Sequence, residues 1–265
     1  MRVRIRRYQF CLMIDTHCHL SYAPLFDQID AVLQRAMAAG VTSMITIGTR
    51  LGDCITCRDL ARRYPQIHCA VGIHPHHAGE TNEDELAQVV AMFADPLVCA
   101  AGEMGLDYHY DFSPREAQQR VFHRQLDAAR AADKPLVLHC REANSICLDI
   151  LREQGGFRGV YHCFTGTMAE AHRILDAGYY VGITGIVTFK NAGYLREIAR
   201  MVPANRLLIE TDAPYLAPEP LRRQKNNEPA LIKHTYALIA QERGVSLSEL
   251  ETQMAENARR LFGLS

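Results

Sequence analysis

The chain lacks a strong net charge, a long hydrophobic run and any stretch of linker composition. Its 265 residues carry 29 Lys and Arg against 30 Asp and Glu, which gives a formal net charge of −1. Generic polyanion-binding proteins have a clear basic excess, so the sequence excludes that class, although bound metal ions can still supply local positive charge for a phosphate. No apolar run approaches the ~18 residues of a membrane helix. We therefore expect a single globular domain with no membrane segment.

A disulfide framework and an export signal are missing as well. Nine cysteines is an odd number, and the four arginines within residues 1–12 are not followed by the apolar stretch of a secretory signal. Free thiols and a cytoplasmic location are therefore expected. We interpret residues 1–12 as an N-terminal extension without a role in the fold, with Met13 as the alternative translation start. Residues 13–265 then form the domain.

Eight short apolar runs that end in small or polar residues alternate with segments of helical apolar spacing. Such alternation predicts parallel strands with right-handed crossovers, and eight repeats in about 250 residues favour a single-domain α/β fold, the TIM (β/α)₈ barrel. No G-x-G-x-x-G follows the first run to favour a dinucleotide-binding fold. Residues 227–262 predict two more helices joined near Gly244. The eight predicted strands are Met13–Leu20, Ser43–Thr49, His68–His76, Val98–Asp107, Pro135–Glu142, Gly159–Gly166, Tyr179–Thr188 and Leu207–Pro214.

Two histidines that are two positions apart end the first run. Successive side chains of a strand point to opposite faces, so His17 and His19 converge on one point while Cys18 turns away. This spacing is typical of a strand that presents two neutral nitrogen ligands to a divalent metal ion.

Four more residues of metal-ligating type end other runs, and these are Glu103, His139, His162 and Asp212. The active sites of (β/α)₈ barrels lie at the carboxyl ends of the strands, so all six side chains are expected to meet. Six ligands exceed the need of one ion, whereas two ions that share a carboxylate would use them all. A water between two such ions is a good nucleophile at neutral pH. The sequence therefore predicts a metal-dependent hydrolase.

Each of these residues taken alone also has a purely structural interpretation, because a single histidine in an apolar strand is usually a hydrogen-bonded core residue. The set as a whole does not fit that interpretation, since each buried polar group costs about 1–3 kcal/mol unless it is paired. Glu210 stands two residues before Asp212 and is predicted to orient a metal ligand. Strand alternation predicts that Cys18, Cys140 and Cys163 face the helix layer.

Six motifs in this chain resemble, in order and spacing, those of the TatD family of metal-dependent deoxyribonucleases. The resemblance runs from about Met13 to the C-terminus, which makes it far more specific than any one motif. The motifs are MIDTHCHL from Met13, GIHPH from Gly72, GEMGLDY from Gly102, LHCR from Leu138, HCFTG from His162 and IETDAPYL from Ile209.

The resemblance implies a barrel hydrolase that cleaves phosphodiester bonds with two divalent ions, commonly as a 3′→5′ exonuclease on DNA, with RNA or nucleotides as alternative substrates. By position, the first ion would be bound by His17, His19 and Asp212, the bridge would be Glu103, and the second ion would be completed by His139 and His162. Asp212 and Glu103 would be catalytic. The implied substrate contacts are His74, Arg141 and Asn227.

Two points stay open at this stage. Arg141 could contact the substrate phosphate or, equally, be a structural salt-bridge partner. The metal ions are Mg²⁺, Mn²⁺ or Zn²⁺, because histidine-rich sites favour zinc or manganese while the resembling family is usually assayed with magnesium. The protein is expected to be a monomer.

Two rival functions remain. One is an amidohydrolase-type enzyme that opens a lactone, amide or ester. Many such enzymes bridge their metals with a carboxylated lysine, whereas here the comparable strand offers Glu103, and Lys134 lies before its strand. The other rival is a metal-binding protein without turnover, against which the histidine-rich loop at 74–77 argues.

Overall fold

Eight parallel strands form one sheet in the order β1 to β8, with α-helices between them. The computed structural model describes residues 13–110, 112–224 and 226–264. The strands are β1 Met13–Cys18, β2 Val41–Ile47, β3 Ile67–Val71, β4 Val98–Asp107, β5 Leu136–Arg141, β6 Gly159–Tyr161, β7 Tyr180–Ile183 and β8 Leu207–Ile209. The helices are α1 Ile29–Ala38, α2 Leu51–Arg63, α3 Glu83–Ala91, α4 Arg115–Ala131, α5 Asn144–Gln154, α6 Met168–Asp176, α7 Gly193–Met201, α8 Ile232–Arg243 and α9 Leu247–Phe262.

The strands β1 and β8 meet where the barrel closes. Cys18 forms an isolated parallel bridge with Ala213, and the amide of His19 donates to the carbonyl of Ala213 at 2.7 Å. One step along, the amide of Asp212 donates to the carbonyl of His17 at 2.9 Å. The predicted (β/α)₈ barrel is thus confirmed, and its closure brings the ends of the first and last strands into direct contact.

Several strands are shorter than the apolar runs from which we predicted them. The run that begins at Gly159 leaves the sheet after Tyr161, and the run that begins at Leu207 leaves it after Ile209. Cys163 and Asp212, beyond these ends, have φ values of +44° and +56°, a conformation that no strand contains. The apolar pattern predicts the strands, but it also covers the buried loop segments that follow them.

The interior of the barrel is closed at the end where the strands begin. Each strand contributes a buried apolar side chain to one cluster, and α9 adds Ala255, Ala258, Leu261 and Phe262 to the same cluster. Helix α9 therefore covers the amino-terminal end of the barrel and leaves the carboxyl-terminal end for the polar side chains. The strand residues in this cluster are Ile14, Ile45, Ile47, Ala70, Ala100, Val137, Val160, Tyr180 and Leu208.

The two C-terminal helices are joined as the sequence predicts. Gly244 ends α8 in the left-handed conformation, with φ +65° and ψ 30°. Ser246 then begins α9 with a capping box, in which its side chain and that of Glu249 bond to each other's backbone amides.

The predicted extension, residues 1–12, lies outside the described residues. Among the helices that are described, none is both long and apolar enough to cross a membrane.

Candidate metal centre

The two histidines of the first strand point to the same place. The Nε2 atoms of His17 and His19 lie 3.3 Å apart, and both side chains are buried. His19 Nδ1 lies 3.3 Å from the carbonyl oxygen of Ile47, which leaves Nε2 as the nitrogen with a free lone pair. Cys18, between them, turns the other way and its thiol donates to the carbonyl of Ile45. The alternation predicted for this strand is confirmed.

Barrel closure adds the carboxylate of Asp212 to these imidazoles. Its Oδ1 lies 3.5 Å from His17 Nε2 and 3.3 Å from His19 Nε2. Asp212 lies three residues beyond β8, so the hydrogen bonds between β1 and the loop after β8, and not the strand itself, bring it there.

Glu103 lies at the centre of the cluster and faces two groups of ligands. Its Oε2 is 3.5 Å from His17 Nε2, while its Oε1 is 3.0 Å from His139 Nδ1 and 2.8 Å from His162 Nε2. The same Oε1 lies 3.3 Å from His74 Nε2. One carboxylate thus connects the ligands of β1 with those of β5 and β6.

The close contact of β4 with β5 depends on glycine. Gly105 has a φ of +141°, and a Cβ atom there would lie 2.1 Å from the carbonyl oxygen of His139. A glycine lets the backbone that carries Glu103 approach the strand that carries His139.

Burial and neighbouring charges determine the protonation of these groups. Burial alone would raise the pKa of Glu103, but the facing imidazoles hold that pKa well below its usual range. Burial is likewise outweighed at Asp212, whose pKa is lowered by the hydrogen bond from His19. Burial lowers the pKa of His17, and it lowers the pKa of His74 to about 3. The facing carboxylates outweigh burial at His19, His139 and His162 and raise the pKa of these three imidazoles. Without a metal ion the site therefore pairs ionised carboxylates with imidazoles that favour a proton, and a bound cation would displace those protons.

Four groups of three donor atoms among the described residues are compact enough to hold a metal ion. Two of these groups are the sets predicted from the sequence, and the other two are His74, His76 and His139, and His17, His162 and Glu210. Neutral imidazole nitrogens and carboxylate oxygens suit zinc and manganese, and the carboxylates also suit magnesium. Within each set all the ligand atoms lie within 4.8 Å of one another, and the two sets are His17, His19 and Asp212, and Glu103, His139 and His162.

Comparison with known proteins agrees with this arrangement. The family model described as TatD related DNase matches residues 14–263. The chain belongs to this family. An uncharacterized metal-dependent hydrolase, YabD of Bacillus subtilis, is 36% identical over 96% of this chain and 100% of its own length. The 3′-5′ ssDNA/RNA exonuclease TatD of Citrobacter rodentium is 38% identical over 96% of this chain and 98% of its own length.

A solved structure of a family member also agrees. The TatD homologue YjjV of Escherichia coli superposes with a TM-score of 0.92 at 29% identity, and the match covers 97% of this chain and 100% of that one. The protein is thus a TatD-family metal-dependent hydrolase, which confirms the fold and the enzyme class predicted from the sequence.

Asp107 is a residue of this TatD-family site that the sequence reasoning did not single out. Its Oδ2 accepts hydrogen bonds from His139 Nε2 at 2.8 Å and His76 Nε2 at 2.9 Å. Its Oδ1 accepts the backbone amides of His109 and Tyr110. Asp107 ends β4 four residues after Glu103, on the same strand face, and this even spacing is the signal that could have identified it.

Glu210 lies behind His162 and not beside Asp212. Its Oε1 accepts the backbone amide of Cys163 at 2.6 Å and lies 3.6 Å from His162 Nδ1. Its Oε2 accepts the hydroxyl of Thr16. The orienting role of Glu210 stays a prediction, and the predicted ligand that its carboxylate faces is His162.

The prediction for Cys163 needs correction. Strand alternation does not apply to it, because β6 ends at Tyr161 and the chain turns at Cys163. Its side chain lines the cavity above the metal centre, with Sγ 3.6 Å from Thr184 Oγ1. Cys140 remains within β5 and its thiol contacts Cys147 of α5, as the alternation predicts, although Cys140 also borders the cavity.

Asn227 also needs correction, because the structure does not bring it to the cavity. Its buried amide donates to the carbonyls of Thr211 and Tyr215 at 3.0 and 2.7 Å, and its side-chain oxygen accepts the amide of Glu228. These bonds hold the loop that contains Asp212. Asn227 is a structural residue of that loop and not a phosphate contact.

Arg141 and His74 do reach the cavity, which has a volume of about 490 Å³. Arg141 ends β5 two residues after His139 and forms no ion pair with any residue the structure describes.

Lys134 does not reach the ligands, because it lies before β5 and donates to the carbonyl of Val98, at the end of the barrel where the strands begin. The metal centre therefore has a glutamate and not a lysine between its two ligand sets.

Proposed function

We propose that this chain is a 3′→5′ exonuclease that hydrolyses phosphodiester bonds of single-stranded DNA with two divalent metal ions. Membership of the TatD family and the similarity to the 3′-5′ ssDNA/RNA exonuclease TatD of Citrobacter rodentium support this proposal. RNA is the alternative polymer, since the name of that relative includes both.

The observation that carries the proposal is the position of Glu103. Each of its oxygens faces a different ligand set, Oε2 towards His17 and Oε1 towards His139 and His162. A carboxylate in this position can bridge two ions, and pairs of ions so bridged are typical of enzymes that cleave phosphodiesters.

Two bound ions would activate the attacking water and neutralise the charge that develops on the phosphate. The chain's own residues do the remaining work. Asp212 is partly open to the cavity, so its ionised carboxylate can accept a proton from the water. His74 and Arg141 line the same cavity and can hold the phosphate oxygens, since Arg141 has no carboxylate partner among the described residues.

The test is to incubate the purified protein with 3′- and 5′-labelled single-stranded DNA in a series of Mg²⁺, Mn²⁺ and Zn²⁺, beside a panel of lactones, amides and esters. We expect stepwise shortening from the 3′ end. Asp212→Asn should reduce turnover by about 10²–10⁴-fold, because an amide is a poorer ligand and cannot act as a base.

Asp149→Asn is the matched control, since Asp149 is exposed on α5 and, among the described residues, forms its ion pair with Arg173 alone. It should keep the parent's rate. Hydrolysis of a lactone, amide or ester without cleavage of DNA would contradict the proposal and favour the amidohydrolase alternative.

A further inference from the structure

Two exposed aromatic side chains form a stacked pair beside the metal centre. The rings of Tyr110 and Phe112 are nearly parallel, at 13°, with centroids 5.4 Å apart. Tyr110 lines the cavity, and Phe112 leaves 65% of its surface in solvent. One exposed aromatic residue is ordinary, whereas two stacked ones at the mouth of the cavity form an exposed apolar patch of the kind that binds a ligand.

A cation completes this surface. The guanidinium carbon of Arg141 lies 5.0 Å from the centroid of the Tyr110 ring. Arg141 pairs in register with Asp107 across β4 and β5, so it projects from the strand end that also carries His139. An aromatic pair next to a guanidinium that forms no ion pair with the described residues is the combination that holds successive bases and phosphates of a single strand.

The pair contacts residues beside the metal centre. The carboxylate of Asp107 accepts the amide of Tyr110 at 2.9 Å while it holds His139 at 2.8 Å. His76, bound to the same carboxylate, packs edge-on against Phe112, with ring centroids 4.8 Å apart at 75°. These contacts join both aromatic residues to Asp107 and His76, which lie beside His139.

We propose that Tyr110 and Phe112 are a base-stacking subsite, on which an unpaired base of the substrate packs while its neighbouring phosphate lies at the metal centre. This inference rests on the proposed nuclease function and extends it. A base inside a duplex already stacks on both sides, whereas an unpaired base has a free face for an aromatic ring. The subsite would therefore make the enzyme prefer single strands, without preference for a particular base.

The first test combines a variant with a modified substrate. With a base-bearing single strand, Phe112→Ala should raise KM by at least about 5-fold and leave kcat almost unchanged, since one base–aromatic stack contributes about that much or more to binding. A series of single strands would each carry one abasic residue, at a different position. With the parent enzyme, one strand of this series should show a KM that is raised by a similar factor, and the others should not. Phe112→Ala should be insensitive to that abasic residue.

Tyr194→Ala is the control, because Tyr194 is an exposed aromatic residue at the start of α7 that does not line the cavity. It should behave as the parent on both substrates. If the parent cleaves DNA but Phe112→Ala responds to the abasic residue as strongly as the parent does, the subsite is wrong and the nuclease function stands.

The second test measures binding without turnover. The sequence has no tryptophan, so Phe112→Trp introduces the chain's sole indole. Its fluorescence should be quenched by a phosphorothioate single strand and much less by a blunt duplex, whereas Tyr194→Trp should not respond. Equal quenching by the duplex, or none by the single strand, would overturn the inference. Absence of DNA cleavage by the parent, with quenching retained, would overturn the proposed function instead.

Discussion

Asp107→Asn should weaken metal binding while the barrel remains folded. The Oδ1 contacts with the amides of His109 and Tyr110 can be kept by the asparagine carbonyl. Its NH₂ group, however, would face the Nε2 atoms of His76 and His139, which donate to Asp107 in the parent. To accept this NH₂ group, His139 must carry its proton on Nδ1, the atom 3.0 Å from Glu103. A protonated nitrogen cannot bind a metal ion.

The expected loss follows from that change of tautomer. Replacing an outer partner of a ligating histidine usually costs about 10–100-fold in metal affinity or activity, equivalent to about 1.4–2.8 kcal/mol. We would measure calorimetric Mn²⁺ binding, the Mn²⁺ concentration that gives half-maximal cleavage, and the melting temperature. Affinity should fall by that factor, and excess metal should restore part of the rate.

Glu142→Gln is the control for this variant, because Glu142 is an exposed carboxylate that bonds His109 Nδ1 at 2.6 Å and does not contact His139. It should bind metal as the parent does. Parent-like affinity and rate in Asp107→Asn, at every metal concentration, would refute the role assigned to Asp107.

Four further outcomes are expected. Chelation with EDTA should abolish activity and leave the far-ultraviolet circular dichroism unchanged, since the apolar cluster under α9 is remote from the ligands; wholesale loss of helix signal would show that the metals are structural. Glu210→Gln should lower turnover by about 10–100-fold through His162, and a parent-like rate would contradict its orienting role. Gly105→Ala should destabilise the fold by at least about 2 kcal/mol in denaturant titrations, because its Cβ would meet the backbone of β5, whereas Gly52→Ala, with open space around it, should not. Phe262→Ala should cost about 3–5 kcal/mol of unfolding free energy with kcat retained, and an unchanged melting temperature would contradict the role of α9 as the cover of the barrel.

The sequence determined the barrel and the side chains at its catalytic end. Eight apolar runs separated by helical spacing fix a parallel sheet, because strand and helix periods are local properties of the chain. The same period of two predicted that His17 and His19 converge and that Cys18 does not, and the structure confirms both. Each of these inferences needs only residues that are neighbours in one strand.

The sequence alone could not determine what happens where strands end. Cys163 and Asp212 leave the sheet with positive φ, so the alternation that placed His17 gives no direction for their side chains. Asn227 was predicted to contact the phosphate, but its side-chain amide donates to two carbonyls of the loop around Asp212. These contacts depend on the conformation of loops. Loops have no sequence periodicity from which the direction of a side chain could be predicted.

Only the tertiary structure determines which carboxylates connect ligands from different strands. Glu103 connects two ligand sets because barrel closure and the glycine-dependent contact of β4 with β5 bring three separate strands to one carboxylate. Asp107 joins His76 to His139, residues 31 and 32 positions away in the chain. The sequence determines which side chains share a face of one strand, since the backbone period is local. The distances between side chains of different strands follow from closure and packing of the whole barrel.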